Sequence, residues 1–458
     1  MTDYAVTDPT TNEIVRRYES ATDAEVDAAV ERAAAAYPAW RTLTVEERCG
    51  YLAAVAAEYR ADSHRLARII TREMGKTTAE ALGEIGIVAD IYDYYATNGP
   101  AFAADRPLPV ATGEAVVRTA PVGVLLGIMP WNYPYYQVAR FAAPNLALGN
   151  TIVLKHAPSC PESAAAIAEL FERVGLPEGA YENVYASEEQ VARIIAHPTV
   201  QGVSLTGSER AGRAVGELAG RAMKKVVLEL GGSDPFIVLP DADVEAAARA
   251  AVVGRMGNAG QACTASKRFI VADEVYDAFV ERFTGLVGEL RVGDPSEEGV
   301  SFGPLSSEAA ARAVIDQVED ATAHGATVLA GGSRLDRPGA FVEPTILADV
   351  TPEARAYREE IFGPVGVVHR VGSIDDAVEL ANDTPYGLGS VIFGSDPALI
   401  ADVADRLDVG MVSINGPSQT QADLPFGGVK ASGIGRELGE YGMAEFVNRK
   451  LIRTHDRG

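Results

Sequence analysis

From about residue 115 onward the chain alternates short β-branched or apolar runs with helical stretches, and this alternation restricts the fold more than any other feature. AVVRTAPVGVLLGIM, NTIVLKHA, ENVYAS, VQGVSLTG, KKVVLELGG, DPFIVL and RFIVA read as strands. CPESAAAIAELFERVG and RAGRAVGELAGRAM, apolar at helical spacing, lie between several of them. Strand, crossover helix and returning strand build a parallel sheet covered on both faces, so the expected class is α/β. Residues 22–72 are alanine-rich with helical spacing, and Thr22 is placed as an N-cap. No internal repeat of about 20–50 residues interrupts this order. The closing stretch FVNRKLIRTH reads as a strand without a local partner, which predicts pairing with another subunit.

Composition excludes several function classes. The chain has 458 residues, enough for about two or three domains. With 47% apolar and 23% charged residues it has the make-up of a globular protein. The start, MTDYAVTDPTTNE, lacks the basic region and apolar core of a secretory signal. The apolar run PVGVLLGIMPW is shorter than the roughly 18 residues of a membrane span and is broken by proline and glycine. Three irregularly spaced cysteines, Cys49, Cys160 and Cys263, argue against a disulfide framework and against a metal site, and a reducing cytoplasm fits them. A net charge of −24 would repel a nucleic-acid backbone. Only seven of the 40 basic residues are lysine, a pattern that fits a salt-rich cytoplasm as well as an ordinary acidic enzyme.

Five segments carry candidate chemistry, and each is ambiguous alone. NAGQACTASKR, residues 258–268, sets Cys263 among small, turn-prone neighbours. A lone cysteine is by default a small core hydrophobe, so structural thiol and nucleophile both stand. There is no GxGxxG, but VSLTG runs towards a helix through Thr206, Gly207 and Ser208, with Gly212 one turn on. Amides at such a helix start can hold a pyrophosphate, and an ordinary strand-to-helix turn uses the same residues. Glu229 ends an apolar strand, where a carboxylate is either exposed at an edge or raised in pKa towards that of a general base. In PWNYP, Asn132 precedes Pro134, a residue suited to a first helical turn, and an amide held there could donate to an oxyanion. Glu360 in REEIFGPV is a further carboxylate ahead of a Gly-Pro turn.

In order along the chain, PWNYP, VLKHAPS, LTGSERAG, LELGGSDP, NAGQAC, EEIFGPV and PFGGVKASG resemble the aldehyde dehydrogenase superfamily across nearly the whole length. The resemblance implies an α/β fold of two Rossmann-like parallel-sheet domains plus a small oligomerisation β-extension. The implied divisions are a dinucleotide-binding domain at 1–104 and 122–230, a catalytic domain at 231–431, and an oligomerisation segment at 105–121 and 432–458. It implies oxidation of an aldehyde to an acid with NAD or NADP: Cys263 as nucleophile, Asn132 and the Cys263 amide at the oxyanion, Glu229 activating water. Lys155 with His156, Ala157 and Pro158 falls at the adenosine ribose, and Gly207 and Ser208 at the pyrophosphate. Glu360 falls at the nicotinamide-side ribose, and Trp131, Leu230 and Phe362 at the cofactor's reactive end. Relatives that pass the acyl group to CoA generally lack the base, so Glu229 argues for hydrolysis, and a non-catalytic relative would lack the nucleophile. Association through the C-terminal strand and a hairpin near 105–120 implies a homodimer or homotetramer.

The substrate tunnel of the family follows the asparagine. Tyr133, Gln137 and Arg140 fall on one helical stripe, with Thr420 and Phe426 in the loop before the glycine pair. An arginine in an apolar tunnel calls for an anion, and a guanidinium forks onto a carboxylate. The chain resembles the succinate-semialdehyde branch at Arg140, which implies a short semialdehyde with a distal carboxylate; an Arg140 paired with a local acid is the alternative. A second arginine of that branch is Gly257 here, with Arg255 two residues earlier. Pro158 stands where NAD-selective relatives place a glutamate, so a 2′-phosphate is tolerable and use of both cofactors is expected.

Overall fold

Two mostly parallel sheets organise the computed structural model, which describes residues 3–456. A hairpin of β1 (Tyr4–Asp8) and β2 (Glu13–Tyr18) leads into α1 (Asp23–Trp40), α2 (Val45–Ala61), α3 (Ser63–Met74) and α4 (Thr78–Phe102). Thr22 caps α1 in a reciprocal capping box with Glu25, as the sequence predicts. After β3 (Arg106–Leu108) and β4 (Glu114–Pro121) comes the alternation: β5 (Val124–Met129), α5 (Tyr136–Leu148), β6 (Thr151–His156), α6 (Pro161–Arg173), β7 (Tyr181–Asn183), α7 (Glu188–Ala196), β8 (Val200–Thr206), α8 (Glu209–Arg221) and β9 (Lys225–Glu229). The stretch AVVRTAPVGVLLGIM is two strands rather than one. Gly123, at φ 136°, breaks it, and β4 and β5 enter different sheets.

These strands lie side by side as β9-β8-β5-β6-β7, all parallel, with β17 (Gly433–Ile434) antiparallel on the β9 edge. The order reverses between β5 and β8, and ligands of doubly wound sheets bind in the crevice at the carboxyl ends of such strands. Alternate side chains of the strands feed two cores. Leu125, Ile152 and Leu154 pack towards α2 to α6, while Val124, Leu126 and Val153 pack towards α1, α7 and α8.

The second sheet comprises β10 (Pro235–Val238), β11 (Arg268–Ala272), β12 (Thr327–Ala330), β13 (Thr345–Ala348), β14 (Val365–Val371), β15 (Gly389–Phe393) and β16 (Met411–Ile414), in the order β12-β13-β14-β11-β10-β15-β16. α9 (Val244–Met256) connects β10 to the loop that carries Cys263 and then to β11. Residues 230–234 run from the carboxyl end of β9 straight into the amino end of β10. The functional residues therefore collect where the carboxyl edge of one sheet faces the amino edge of the other. β18 (Val447–Thr454) has a partner in its own chain that the reading of FVNRKLIRTH did not foresee: it pairs antiparallel with β4, over eight residue pairs, at the edge of a three-stranded sheet with β3. Its partner lies over 300 residues upstream and is invisible to a local reading.

Candidate active site

Both crevice-forming strands deliver their next residues to one cavity of ≈ 270 Å³. Trp131 and Asn132 follow β5, Thr206 ends β8 with Gly207 and Ser208 behind it, and Glu229 ends β9 with Leu230 and Gly231 behind it; Pro130, Gln137, Cys263, Glu360 and Phe362 complete the wall. Ser208 is the N-cap of α8, its hydroxyl accepting from the Ala211 amide at 3.3 Å. Gly212 has no room for a Cβ, which would stand 2.5 Å from Leu230, so α8 lies tight on the strand end. Glu360 accepts from the Gly232 amide at 3.0 Å, and burial pushes its carboxyl up to about 7 against the pull of Arg255 and Lys267. Trp131 and Phe362 meet edge to face at 5.6 Å.

Cys263 also lines a second cavity, of ≈ 380 Å³, with Tyr133, Tyr136, Gln137, Thr420 and Phe426 on its walls. Only Cys263 and Gln137 belong to both, so the thiol stands at the joint. Burial pushes it up to about 12, opposed by Arg140 and reinforced by Glu229 and Glu360. Asn132 is tied to the nucleophile loop through its side-chain amide, which donates to the Gln261 carbonyl at 3.0 Å. Glu229 is 2% exposed, and neither of its carboxylate oxygens has a hydrogen-bond partner among the described residues. Burial raises it well above the usual carboxylate range. A Cβ on Gly427, at φ 146°, would stand 2.7 Å from Glu229 Oε1, so glycine there leaves this carboxylate its space.

Three expectations need correction. Pro134 lies in the turn ahead of α5, not in its first turn, because Tyr135 is the N-cap. Arg140 lines neither cavity. It is wholly buried and ion-paired with Glu437, donates to Thr206 Oγ1 at 3.1 Å and Tyr136 Oη at 3.4 Å, and lies 4.3 Å from the Phe426 ring centroid. The physical reason is a buried acid: Glu437 takes the guanidinium, and the Tyr136 and Phe426 rings, both on the wall of the second cavity, pack against it. His156 is not open to a cofactor through its ring. Nδ1 accepts from the Ala157 amide at 2.8 Å, which leaves Nε2–H to donate to the Pro134 carbonyl at 2.9 Å. Burial depresses it to about 4, so it is a neutral tie between β6 and the Asn132 loop. Arg255 lines neither cavity and bonds the carbonyls of Gly260 at 2.6 Å and Ile361 at 3.3 Å.

Across residues 1–452 the sequence matches the model of the "Aldehyde dehydrogenase family". The chain belongs to the aldehyde dehydrogenase family. It is 53% identical to a succinate-semialdehyde dehydrogenase [NADP(+)] of Deinococcus radiodurans over 98% of this chain and 94% of that protein. It is 45% identical to a succinate-semialdehyde dehydrogenase [NADP(+)] 1 of Mycobacterium bovis over 98% of this chain and 99% of that protein. The crystal structure of succinic semialdehyde dehydrogenase from Streptococcus pyogenes in complex with NADP+ superposes with a TM-score of 0.97 at 44% identity, covering 99% of this chain and 100% of that one.

The residues present fit the dinucleotide of an aldehyde dehydrogenase. Lys155, at the end of β6, makes no ion pair among the described residues, and burial lowers its ammonium, a cation awaiting an anion. Gly231 has no Cβ to collide with the Glu360 carboxylate. Ala157 is buried, and Pro158 turns its carbonyl to the Ala5 amide at 3.1 Å. Among the described residues no group of three His, Cys, Asp or Glu could hold a metal ion, and no helix is long and apolar enough to cross a membrane. Sequence reasoning missed Tyr136, Glu437 and the lining residues Glu80, Glu84, Ser418 and Gln419. Glu80 and Glu84 sit four apart on a helix, a spacing that reads as an exposed face, and only their position inside an otherwise apolar run gave a signal.

Proposed function

We propose that this aldehyde dehydrogenase oxidises succinate semialdehyde to succinate with NADP+, using Cys263, Glu229 and Asn132. The observation that carries the reading is the thiol on the shared wall of two cavities, with an unpartnered buried carboxylate beside it. Cys263, as thiolate, forms a C–S bond to the aldehyde carbon while the carbonyl electron pair moves to oxygen. The Asn132 amide and the Cys263 backbone N–H hold that oxyanion. Bound along the first cavity, the dinucleotide supplies the hydride acceptor, leaving a Cys263 thioester. Glu229 takes a proton from water, hydroxide adds to the acyl carbon, the C–S bond breaks and the thiolate returns. Aldehyde, water and NADP+ give acid, NADPH and a proton.

The relatives' substrate and the second cavity both support a distal carboxylate. Tyr136 Oη and Thr420 Oγ1 lie 2.7 Å apart on its wall, and the Arg140 guanidinium backs the tyrosine hydroxyl. Positive charge thus reaches the cavity through a hydroxyl rather than directly. For the cofactor, Lys155, which makes no ion pair among the described residues and has the Tyr4 ring 6.0 Å away, and the absence of a carboxylate at Pro158 support a 2′-phosphate. The domain divisions proposed from sequence are retained, with residues 433–434 reassigned to the first sheet by their pairing with β9. The outer edge of β18, with Leu451 60% exposed, and the β16 edge, with Ile414 51% exposed, support association of copies as a homodimer or homotetramer. A cytoplasmic location is proposed with them.

The test compares kcat/KM for succinate semialdehyde and butanal with each cofactor. A preference of about tenfold or more for the semialdehyde, lost in Tyr136→Phe and Thr420→Val, is expected. Equal values for both aldehydes reject the substrate, and no reaction of any aldehyde rejects the mechanism.

A further inference from the structure

Helix α5 opens at Tyr135, which makes no side-chain cap, directly after the loop that presents Asn132. Its free amides are served from another helix. Glu84 of α4 accepts from the Tyr135 amide at 2.9 Å and the Tyr136 amide at 3.1 Å through Oε1. Its other oxygen receives Lys76 Nζ at 2.5 Å, and the same ammonium donates to the Asn132 carbonyl at 2.9 Å and lies 3.5 Å from the Tyr133 ring centroid. Both side chains of this pair are 0% exposed. One turn earlier on the same face, Glu80 Oε1 accepts the Asn258 amide at 2.6 Å.

The nucleophile loop needs such a hold. Asn258 (φ 51°, ψ 34°) and Ala259 (φ 52°, ψ 33°) are consecutive left-handed residues without glycine, a conformation that persists only where the surroundings over-determine it. Asn258 closes the circuit by donating to the Asn132 carbonyl and the Gln261 carbonyl, both at 3.1 Å.

We propose that Lys76, Glu80 and Glu84 form a positioning brace, in which α4 acts as a ruler setting the separation of the Asn132 amide from the Cys263 thiol. The proposal rests on the oxyanion and nucleophile assignments above. None of the three touches the reacting atoms; they act through the two loops. A buried ion pair is a poor source of stability, and replacing both partners by neutral groups is tolerated better than removing one. Geometry is what this pair supplies, and a displacement of about 1 Å at a reacting group can lower turnover by about a hundredfold.

The experiment uses the full-length enzyme in Lys76→Met, Glu84→Gln, the double variant Lys76→Met/Glu84→Gln, and Asn132→Ala as reference. Lys76→Met is expected to lose about 10- to 100-fold in kcat, with aldehyde KM and NADP+ Kd within about threefold, and to unfold at lower urea. In the double variant charge balance and urea midpoint recover, while kcat stays low because the ammonium no longer holds the Asn132 carbonyl and only the Asn258 side chain remains on it. Iodoacetamide alkylation of Cys263 stays near the wild-type rate throughout. Recovery of kcat in step with stability would reduce the pair to a structural one and overturn the brace, as would a rise in KM with kcat intact. Low kcat in Asn132→Ala beside wild-type kcat in the brace variants overturns the brace alone. Full kcat in Asn132→Ala overturns the oxyanion assignment and the brace together.

Discussion

Arg140→Leu separates two roles for the arginine that the sequence cannot tell apart. Its side chain is 0% exposed and that of Glu437 is 6% exposed, so removing the guanidinium leaves a carboxylate buried without its counter-charge. Breaking one side of a buried pair costs about 3–5 kcal/mol. The Ser204 hydroxyl, 3.1 Å from Glu437 Oε1, offsets only a little of this. The same guanidinium lowers the carboxyl of Glu229, which burial raises, so its loss raises that base further. The base must be ionised to work, so activity rises with pH, and this limb should move to higher pH in the variant. The effect applies to butanal as well as to succinate semialdehyde, with an additional loss for the semialdehyde through the Tyr136 hydroxyl. Urea unfolding measures the first quantity, and kcat/KM against pH for both aldehydes measures the second. Arg140→Leu/Glu437→Leu, which removes both charges, should regain most of the lost stability. A variant with intact stability and an intact butanal profile, but a raised KM for succinate semialdehyde, would refute the buried pair and restore Arg140 as a free anchor.

Cys263→Ala should abolish NADPH formation while leaving NADP+ binding unchanged in a fluorescence titration. With a thiol pushed up to about 12, alkylation of the cofactor-free wild type should rise about tenfold per pH unit between roughly pH 7 and 10, without a plateau. Glu229→Gln should give a single burst of NADPH stoichiometric with enzyme, followed by turnover slowed about 10²- to 10⁴-fold, with a succinyl adduct on Cys263 visible by mass spectrometry. Because Glu360 is raised to about 7, its ionised form, the better acceptor for ribose hydroxyls, prevails only above that pH. NAD+ affinity should therefore strengthen as pH rises through about 7, and Glu360→Gln should flatten the dependence. With a net charge of −24, kcat/KM for the anionic semialdehyde should climb with added salt at low ionic strength, while that for butanal stays level.

Much of this architecture was legible in the sequence because it rests on local pattern. Strand–helix alternation foretold parallel sheets, and the N-cap at Thr22 follows from residue type ahead of an apolar helical run. Of the first cavity's lining, Thr206, Gly207, Ser208 and Glu229 stood out at strand ends, where open α/β sheets bind ligands, while the roles of Cys263, Glu360, Trp131 and Phe362 came from the resemblance. What escaped depends on contacts far apart in the chain. β18 finds β4 more than 300 residues away, and the ion pair of Arg140 is with Glu437, nearly as distant. Of the stripe, Tyr133 and Gln137 reach the second cavity and Arg140 alone does not. Arg140 lies one turn beyond Tyr136 on the same face, and its guanidinium is drawn to Glu437, a partner that no local spacing reveals.

The distribution of charge makes the active site unlike the molecule around it. The chain is strongly acidic as a whole, yet among the described residues the buried charged side chains are six cations, Arg48, Lys76, Arg140, Arg255, Lys267 and Arg268, against five acids, Glu73, Glu84, Glu229, Asp234 and Glu437. Burial raises three of those acids, and brings Glu73 and Asp234 to about 8, so near neutral pH these two are largely uncharged; it also lowers the Lys267 ammonium well below its ordinary value. Several cations instead bond backbone carbonyls: Lys267 reaches that of Glu359 at 2.6 Å, and Arg268 those of Ser233, Leu380 and Ala381 at 2.7–2.9 Å. Beside the two cavities the Arg140 guanidinium opposes the rise that burial imposes on both Cys263 and Glu229, inside a negative shell. A thiolate, an oxyanion and a phosphate-bearing cofactor must all form or rest in that interior, and each is favoured by cations that cannot leave it. The shell works in the opposite sense, repelling the same anions on approach, and mobile salt screens the shell far better than it screens buried groups. Chemistry and delivery thus depend on different charges of one chain, and ionic strength acts on the second while leaving the first nearly untouched.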